Sequence, residues 1–270
     1  MFPSNSARTP SVCAVSYLNT VPLVWGLLQD AALQPVFNLR FALPSRCAEE
    51  LASGEADLGI VPVIEMARQK LDYFPGLGIS SVGPVRSILL VSKVPYREIK
   101  RLTTDSGSRT SVMLARIILA EKFGAEPRLT SQAPELASML GSADAALLIG
   151  DAALHIDPAT LPFETLDLGA EWTALTGLPM VFAVWAGRKE VVRKPYGQAL
   201  ADSCRYGLSH IEEIIPREAA SRKLAEPLVR RYLTRHIVFE FGPRHEEGLA
   251  EYLKRAAALD RITVAGGIPA

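Results

Sequence analysis

Residues 102–122, LTTDSGSRTSVMLARIILAEK, carry a full change of pattern within one stretch. The run at 102–104 reads as a short strand, the polar segment 105–109 as a loop, and 110–122 as a helix. Along that helix Val112, Ala115 and Leu119 form one stripe, which Leu114, Ile117 and Ile118 widen into a core-facing side. A strand that passes through a hydroxyl-rich loop into an amphipathic helix is the repeating unit of α/β layers.

The same alternation extends to both sides. Upstream, 12–16, 36–41 and 58–61 read as strands, with helices at 22–29, 45–53 and 63–69. Segments 79–81 and 87–92 straddle the Gly83-Pro84 turn and read as strands leaving this first unit. Downstream, strands at 128–130 and 145–149 flank a helix at 134–140, and the apolar run 178–186 reads as a buried strand returning to the first unit. Helices at 189–210, 211–224, 227–236 and 244–259 follow. The expected fold is α/β and two-lobed, with a discontinuous lobe I at 11–95 and 183–270 and lobe II at 96–182. The chain would cross between them near 92–100 and 178–188, with a ligand cleft between the lobes.

The 270 residues hold 29 basic and 29 acidic side chains, a balance that argues against a broad nucleic-acid surface. Cys13, Cys47 and Cys204 are far apart in sequence, which suggests neither a zinc site nor a disulfide framework and fits a reducing compartment. The start, MFPSNSARTPSV, lacks the apolar core of a secretory signal, and no run of 18 apolar residues occurs. A cytoplasmic protein without membrane insertion is expected.

Four loops fall at the strand ends that such a cleft would use. Ser16-Tyr17-Leu18-Asn19-Thr20 follows the first strand. The Asn19 amide offers a donor and an acceptor to a hydroxyl or ether oxygen, or it caps the next helix. Arg86 and Ser87 follow the Gly83-Pro84 turn and would grip a carboxylate, unless Arg86 simply points out into water. Asp105-Ser106-Gly107-Ser108-Arg109-Thr110-Ser111 gathers hydroxyls and free N–H groups at a helix mouth, where the dipole favours an anion. It lacks the Gly-Lys-Ser/Thr ending of a nucleotide P-loop. Gly150 and Asp151 end the apolar run 145–149. Gly150 permits close approach of a ligand, and Asp151 accepts a hydrogen bond or caps the following helix.

The basic stretch 222–236 has Leu and Val interleaved at helical spacing and reads as a solvated helix face. No GxSxG, HExxH or GxGxxG is present. Read from its residues alone, the chain is a two-lobed binder of a small anion.

Six blocks carry a resemblance: SYLNTVPLVWGL (16–27), GIVPVIEMA (59–67), SSVGPVRSILLVS (80–92), SGSRTSVMLARIIL (106–119), DAALLIGDAAL (144–154) and DLGAEWTALTGLPMVFAVWA (167–186). Together they resemble the chorismate dehydratase family of the futalosine route to menaquinone. The resemblance covers about residues 12–187 and implies a type II periplasmic-binding-protein-like fold. It also implies that chorismate loses water to give 3-[(1-carboxyvinyl)oxy]benzoate, with no metal or redox cofactor.

On that resemblance Asn19 would be catalytic, contacting the departing hydroxyl or the ether oxygen, and Tyr17 would wall the ring. Ser108, Arg109, Thr110 and Ser111 would hold one carboxylate, and Arg86 and Ser87 would face the other. Gly150 and Asp151 would complete the substrate site, Asp151 by orienting the neighbouring loop. The partner is then a small dicarboxylate, with no nucleic acid, and the chain a monomer or homodimer. A solute receptor would share the fold. The sister enzyme that cleaves cyclic dehypoxanthinyl futalosine opens with a Pro-Asn-Asp type segment where this chain has SYLNT.

Overall fold

The computed structural model describes residues 8–265 except 106, 108 and 194, with side chains to residue 260. Eleven strands run in chain order: β1 (Ser11–Val15), β2 (Asn38–Ala42), β3 (Leu58–Pro62), β4 (Asp72–Ser81), β5 (Ile88–Ser92), β6 (Arg101–Asp105), β7 (Arg128–Gln132), β8 (Ala145–Ile149), β9 (Glu164–Asp167), β10 (Met180–Gly187) and β11 (Val238–Glu240). They form a six-stranded sheet in the order β11-β4-β10-β3-β1-β2 and a five-stranded sheet in the order β7-β6-β8-β5-β9.

In the first sheet β1 lies parallel to β2 and β3, while β10 runs antiparallel between β3 and β4. In the second, β6 is parallel to β7 and β8, and β5 is antiparallel to β8 and β9. The carboxyl ends of β1, β3, β6 and β8 are thus available to loops of one cleft, the usual position for ligands in such sheets.

β5 belongs to the second sheet, not to the first unit as its sequence suggests. It pairs with β8 and β9, so the chain passes between sheets at 82–87 rather than near 92–100. The return lies at 177–179, ahead of β10. The crossing therefore includes Gly83-Pro84, and β5 finds its partners in β8 and β9 rather than in β4.

Within the second sheet β5 and β8 are buried on both faces, which accounts for their unbroken apolar runs. Ile88, Leu90, Ala145, Leu147 and Ile149 enter the large core, which also includes the first sheet's side chains. Leu89, Val91, Ala146 and Leu148 join Met139 and Leu140 in a smaller cluster on the opposite face. This is the two-residue alternation of strands.

The C-terminal helix Pro243–Ala265 packs on β10 and on the helix Thr110–Phe123. The Tyr252 hydroxyl donates to the Thr110 carbonyl at 3.0 Å, and the Tyr252 ring meets Trp172 edge-on at 6.1 Å.

The helices Val21–Gln29 and Tyr196–Ser209 approach closely enough to need small residues. A Cβ on Gly26 would fall 2.5 Å from Ser203 Cα, and one on Gly207 would fall 2.1 Å from the Pro22 carbonyl oxygen. Ser203 Oγ joins the pair, donating to Leu23 O at 2.9 Å and accepting from Leu27 N–H at 3.0 Å. Gly207→Ala is expected to destabilise the protein by about 2 kcal/mol, because the obstacle is backbone and the helices must separate. A lower urea midpoint with unchanged slope is the measurement; an unmoved midpoint would refute the tight crossing.

Candidate active site

Between the sheets lies a cleft of about 580 Å3 of empty space. Its walls are mostly apolar, with Val15, Ile60, Ile79, Ile88, Ile149 and Phe182 among them. Its polar members are Tyr17, Asn19, Ser87, Arg109, Thr110 and Ser111, with Gly107 and Gly150 on its surface. A largely apolar pocket with a few convergent polar groups is the common form of a small-molecule site.

The loop after β1 carries Tyr17 and Asn19. The Tyr17 ring lies against Gly150, whose backbone is left-handed at φ +56°. A Cβ there would stand 3.1 Å from three atoms of the Tyr17 ring. Burial pushes the Tyr17 phenol up, with the charges of Asp105 and Asp151 adding to it, so the group stays a neutral hydroxyl.

Asn19 reaches the cleft with its Oδ1 buried and without a hydrogen-bond partner; Thr110 Oγ1 shares that condition. Buried polar atoms are nearly always paired. Two orphan oxygens on the walls of one cleft therefore point to a ligand that pairs them.

Asn19 does not cap the helix that follows, since neither this loop's short 3-10 turn nor the helix Val21–Gln29 has a side-chain cap. Its amide lies instead beside the Tyr232 hydroxyl. Burial pushes the Tyr232 phenol up, a shift that hydrogen bonds with Ser87 and Asn19 partly offset. Tyr232 donates to Ser87 Oγ at 2.8 Å, so Asn19, Tyr232 and Ser87 form one connected wall.

At the helix mouth, Arg109 precedes the helix Thr110–Phe123, whose first N–H groups have no intrahelical acceptor. Arg109 also faces Glu65 at 3.3 Å and Glu49 at 4.0 Å. The Glu65 side chain is nearly inaccessible and pairs with Arg68 at 3.1 Å as well. The Arg109 guanidinium is thus fixed in orientation by a carboxylate that the sequence reading had not connected with it. Ser108 lies outside the described residues.

Two expected site residues stand elsewhere. Arg86 does not line the cleft: its own backbone is left-handed at φ +66°, and its guanidinium turns to the carbonyls that end the helix Gly150–Leu154. It donates to Ala153 O at 2.9 Å and to Ile156 O. Ser87, next in the chain, faces the cleft alone.

Asp151 lies behind the cleft wall. Its Oδ1 accepts from the Leu18 N–H at 3.1 Å and its Oδ2 pairs with Arg222. Arg222 also donates to the Ser16 carbonyl at 3.2 Å and to Glu218 at 3.1 Å. The basic stretch read as a solvated face therefore turns two members inward, Arg222 and Tyr232. Arg222 ties the loop after β1 to the loop after β8, and with it the two sheets. Tyr232 opens a π-helical turn, Tyr232–His236, of the kind often found at functional sites.

Asp105, at the end of β6, is buried, and that burial raises its pKa, opposed by a hydrogen bond from the Gly107 N–H at 2.9 Å. An acid held more strongly by its proton in the folded state makes folding less favourable above its folded pKa. The penalty vanishes below the unfolded value, where both states are protonated. Asp105→Asn keeps an acceptor for Gly107. It is expected to raise stability at pH 7 and to lose that gain as the pH falls through the carboxylate range. Urea unfolding at pH 7 and at about pH 3.5 checks it; equal gains at both values would count against the burial account.

Residues 10–258 match the family model for menaquinone biosynthesis. The chain belongs to the menaquinone biosynthesis family. A curated member, a chorismate dehydratase of Thermus thermophilus, is 31% identical over 252 residues, which span 84% of this chain and 90% of that one. Among solved structures, a protein of Archaeoglobus fulgidus superposes with a TM-score of 0.76 at 15% identity, over 95% of this chain and 99% of its own. The periplasmic aliphatic sulphonate binding protein of Escherichia coli superposes with a TM-score of 0.63 at 16% identity, over 96% and 89%. Likeness at these identities speaks for the fold alone, and that fold is periplasmic-binding-protein-like. Among the described residues of this family member, no helix is long and apolar enough to cross a membrane.

Proposed function

We propose that this chain is a chorismate dehydratase, eliminating water from chorismate to give 3-[(1-carboxyvinyl)oxy]benzoate on the route to menaquinone. The observation that carries the site assignment is the pair of buried, partnerless oxygens, Asn19 Oδ1 and Thr110 Oγ1, on two residues that line one largely apolar cleft. The T. thermophilus relative supports the reaction.

Chorismate is a dianion with one carboxylate on its cyclohexadiene ring and the other on the enolpyruvyl ether. One carboxylate fits the mouth of the helix Thr110–Phe123, gripped by Arg109, Thr110 and Ser111 and by free backbone N–H groups. The ring lies over Tyr17 where Gly150 leaves room, and the other end faces Ser87, whose hydroxyl is held from behind by Tyr232.

The reaction removes the C4 hydroxyl and the C3 hydrogen, and the ring becomes aromatic. Elimination is strongly downhill, so the protein's work is orientation and charge placement. Asn19 hydrogen-bonds the departing hydroxyl or the ether oxygen. The proton from C3 passes to the substrate's own carboxylate, held in position by Asn19, and leaves as part of the water formed. Apolar walls keep bulk water out and strengthen each polar contact. The sheets act as two lobes that enclose the substrate. The three free thiols are buried and suit the reducing cytoplasm in which we place the protein.

Purified, chelator-treated protein incubated with chorismate is expected to yield an aromatic product one water lighter, absent with denatured protein, by liquid chromatography and mass spectrometry. Unchanged chorismate with tight binding would reassign the chain to the solute receptors.

A further inference from the structure

A second cavity, of about 750 Å3 of empty space and open to solvent, is lined by Arg86 and residues of the C-terminal helices. It is bounded by Arg86, Lys223, Arg231, His155 and Asp157 with Leu228. Three cations border it with one carboxylate, Asp157, whose Oδ1 accepts from the Ala159 N–H at 3.0 Å. The side chains of Lys223 and Arg231 make no hydrogen bond or ion pair among the described residues. Burial lowers the Arg86 pKa and the charge of Arg231 adds to that, while Asp157 and Asp167 oppose it.

Backbone geometry marks the same place. Among the described residues three that are not glycine have a left-handed backbone, and two of them, Arg86 at φ +66° and Lys223 at φ +55°, line this cavity. At Lys223 this is the left-handed residue that ends the helix Ile211–Arg222, and at Arg86 it turns the guanidinium toward the carbonyls of Ala153 and Ile156. With Arg231 these two residues put three like charges on one cavity. A ligand that pays back their mutual repulsion must be anionic and must offer acceptors to more than one of them.

We propose that this cavity is a second anion-binding site, separate from the catalytic cleft, which takes a small oxyanion with two or more negative charges, an organic phosphate or a di- or tricarboxylate. Arg231 and Lys223 supply the free charges, and Arg86 supplies the N–H groups that the helix carbonyls leave over. Each cation adjoins a residue of the cleft or its tie: Arg86 precedes Ser87, Lys223 follows Arg222, and Arg231 precedes Tyr232. An anion that draws the three together therefore shifts the Ser87–Tyr232 wall and the Arg222 tie, and binding is coupled to the cleft.

The full chain is titrated with inorganic phosphate and with citrate by calorimetry, at ionic strength held constant with KCl. At least one probe is expected to bind saturably at one site. Lys223→Asn and Arg231→Gln, each alone, are expected to weaken it tenfold or more while leaving the anion-free unfolding midpoint unchanged. Asparagine suits the left-handed backbone at 223, and Arg231 has no partner to lose. Arg109→Gln, at the helix mouth of the cleft, is expected to leave the affinity unaltered. Binding of citrate alone assigns the site to carboxylates, and binding of phosphate alone to phosphates. Absence of saturable binding overturns the proposal. So does binding that Arg109→Gln abolishes and the other two variants spare, since the anion then sits in the cleft. These readouts need no turnover, so they stand or fall separately from the assigned reaction.

Discussion

Asn19→Ala is expected to lower the turnover number for chorismate by 100- to 1000-fold while changing its affinity much less. The range is that of removing one positioned hydrogen-bonding group from a water-poor site. Asn19 Oδ1 is buried without a partner on the cleft wall, and its amide sits beside the Tyr232 hydroxyl. The group is therefore held by its surroundings before substrate arrives. Its contact with the departing oxygen strengthens as charge develops there, so its loss falls on the chemical step rather than on binding. Steady-state kinetics with a separate measurement of chorismate affinity make the test. Wild-type turnover in Asn19→Ala would falsify the catalytic assignment. Loss of affinity in proportion to turnover would leave Asn19 as a binding residue only.

Gly150→Val is expected to reduce kcat/KM at least 100-fold, by a different route. The residue is at φ +56°, where a β-branched side chain is an outlier. The first added carbon would meet three atoms of the Tyr17 ring at 3.1 Å. Tyr17 cannot retreat freely, because Leu18 is tied to Asp151 and Ser16 to Arg222. The ring tips into the substrate's space, and a displacement of about 1 Å at a reacting centre is worth roughly two orders of magnitude. Gly150→Ala should fall between wild type and Gly150→Val. Activity within fivefold of wild type in the valine variant, with the protein folded, would remove Tyr17 from the substrate's floor.

Much of the architecture was legible because its signals are local. The alternation from 102 to 149 gave the order of strand and helix, and the loops after β1, β6 and β8 were located from where apolar runs stop. The sequence pattern marks β4 only at 79–81, whereas the strand runs from Asp72, with register shifts against β10 between Val181 and Ala183 and between Val184 and Ala186. β9 and β11 escaped because four and three residues carry no periodicity.

The site divided along the same line. Tyr17, Asn19, Ser87, Arg109, Thr110, Ser111 and Gly150 follow strand ends or open a helix, and they meet in one cleft. Arg222 and Tyr232 lie some 200 residues from the loop they support, within segments patterned as ordinary helices. Their inward direction depends on tertiary packing and on a π-turn without a sequence mark. Arg86 was misplaced for a related reason: the Gly83-Pro84 turn could be read, but not the second left-handed residue that swings its side chain away.

The position of β10 has a consequence for how the protein is made. β10 lies between β4 and β3 in the first sheet, and without it β4 cannot join β3. As the chain leaves the ribosome, the second sheet needs only the consecutive residues of β5 to β9 and can close early. The first sheet must wait for β10 and then for β11, with the apolar edges of β3 and β4 uncovered meanwhile. Long-range pairing of this kind is slow and exposes surface that aggregates. The nascent chain is therefore most vulnerable between synthesis of residue 81 and residue 187, and help from a chaperone matters most in that interval.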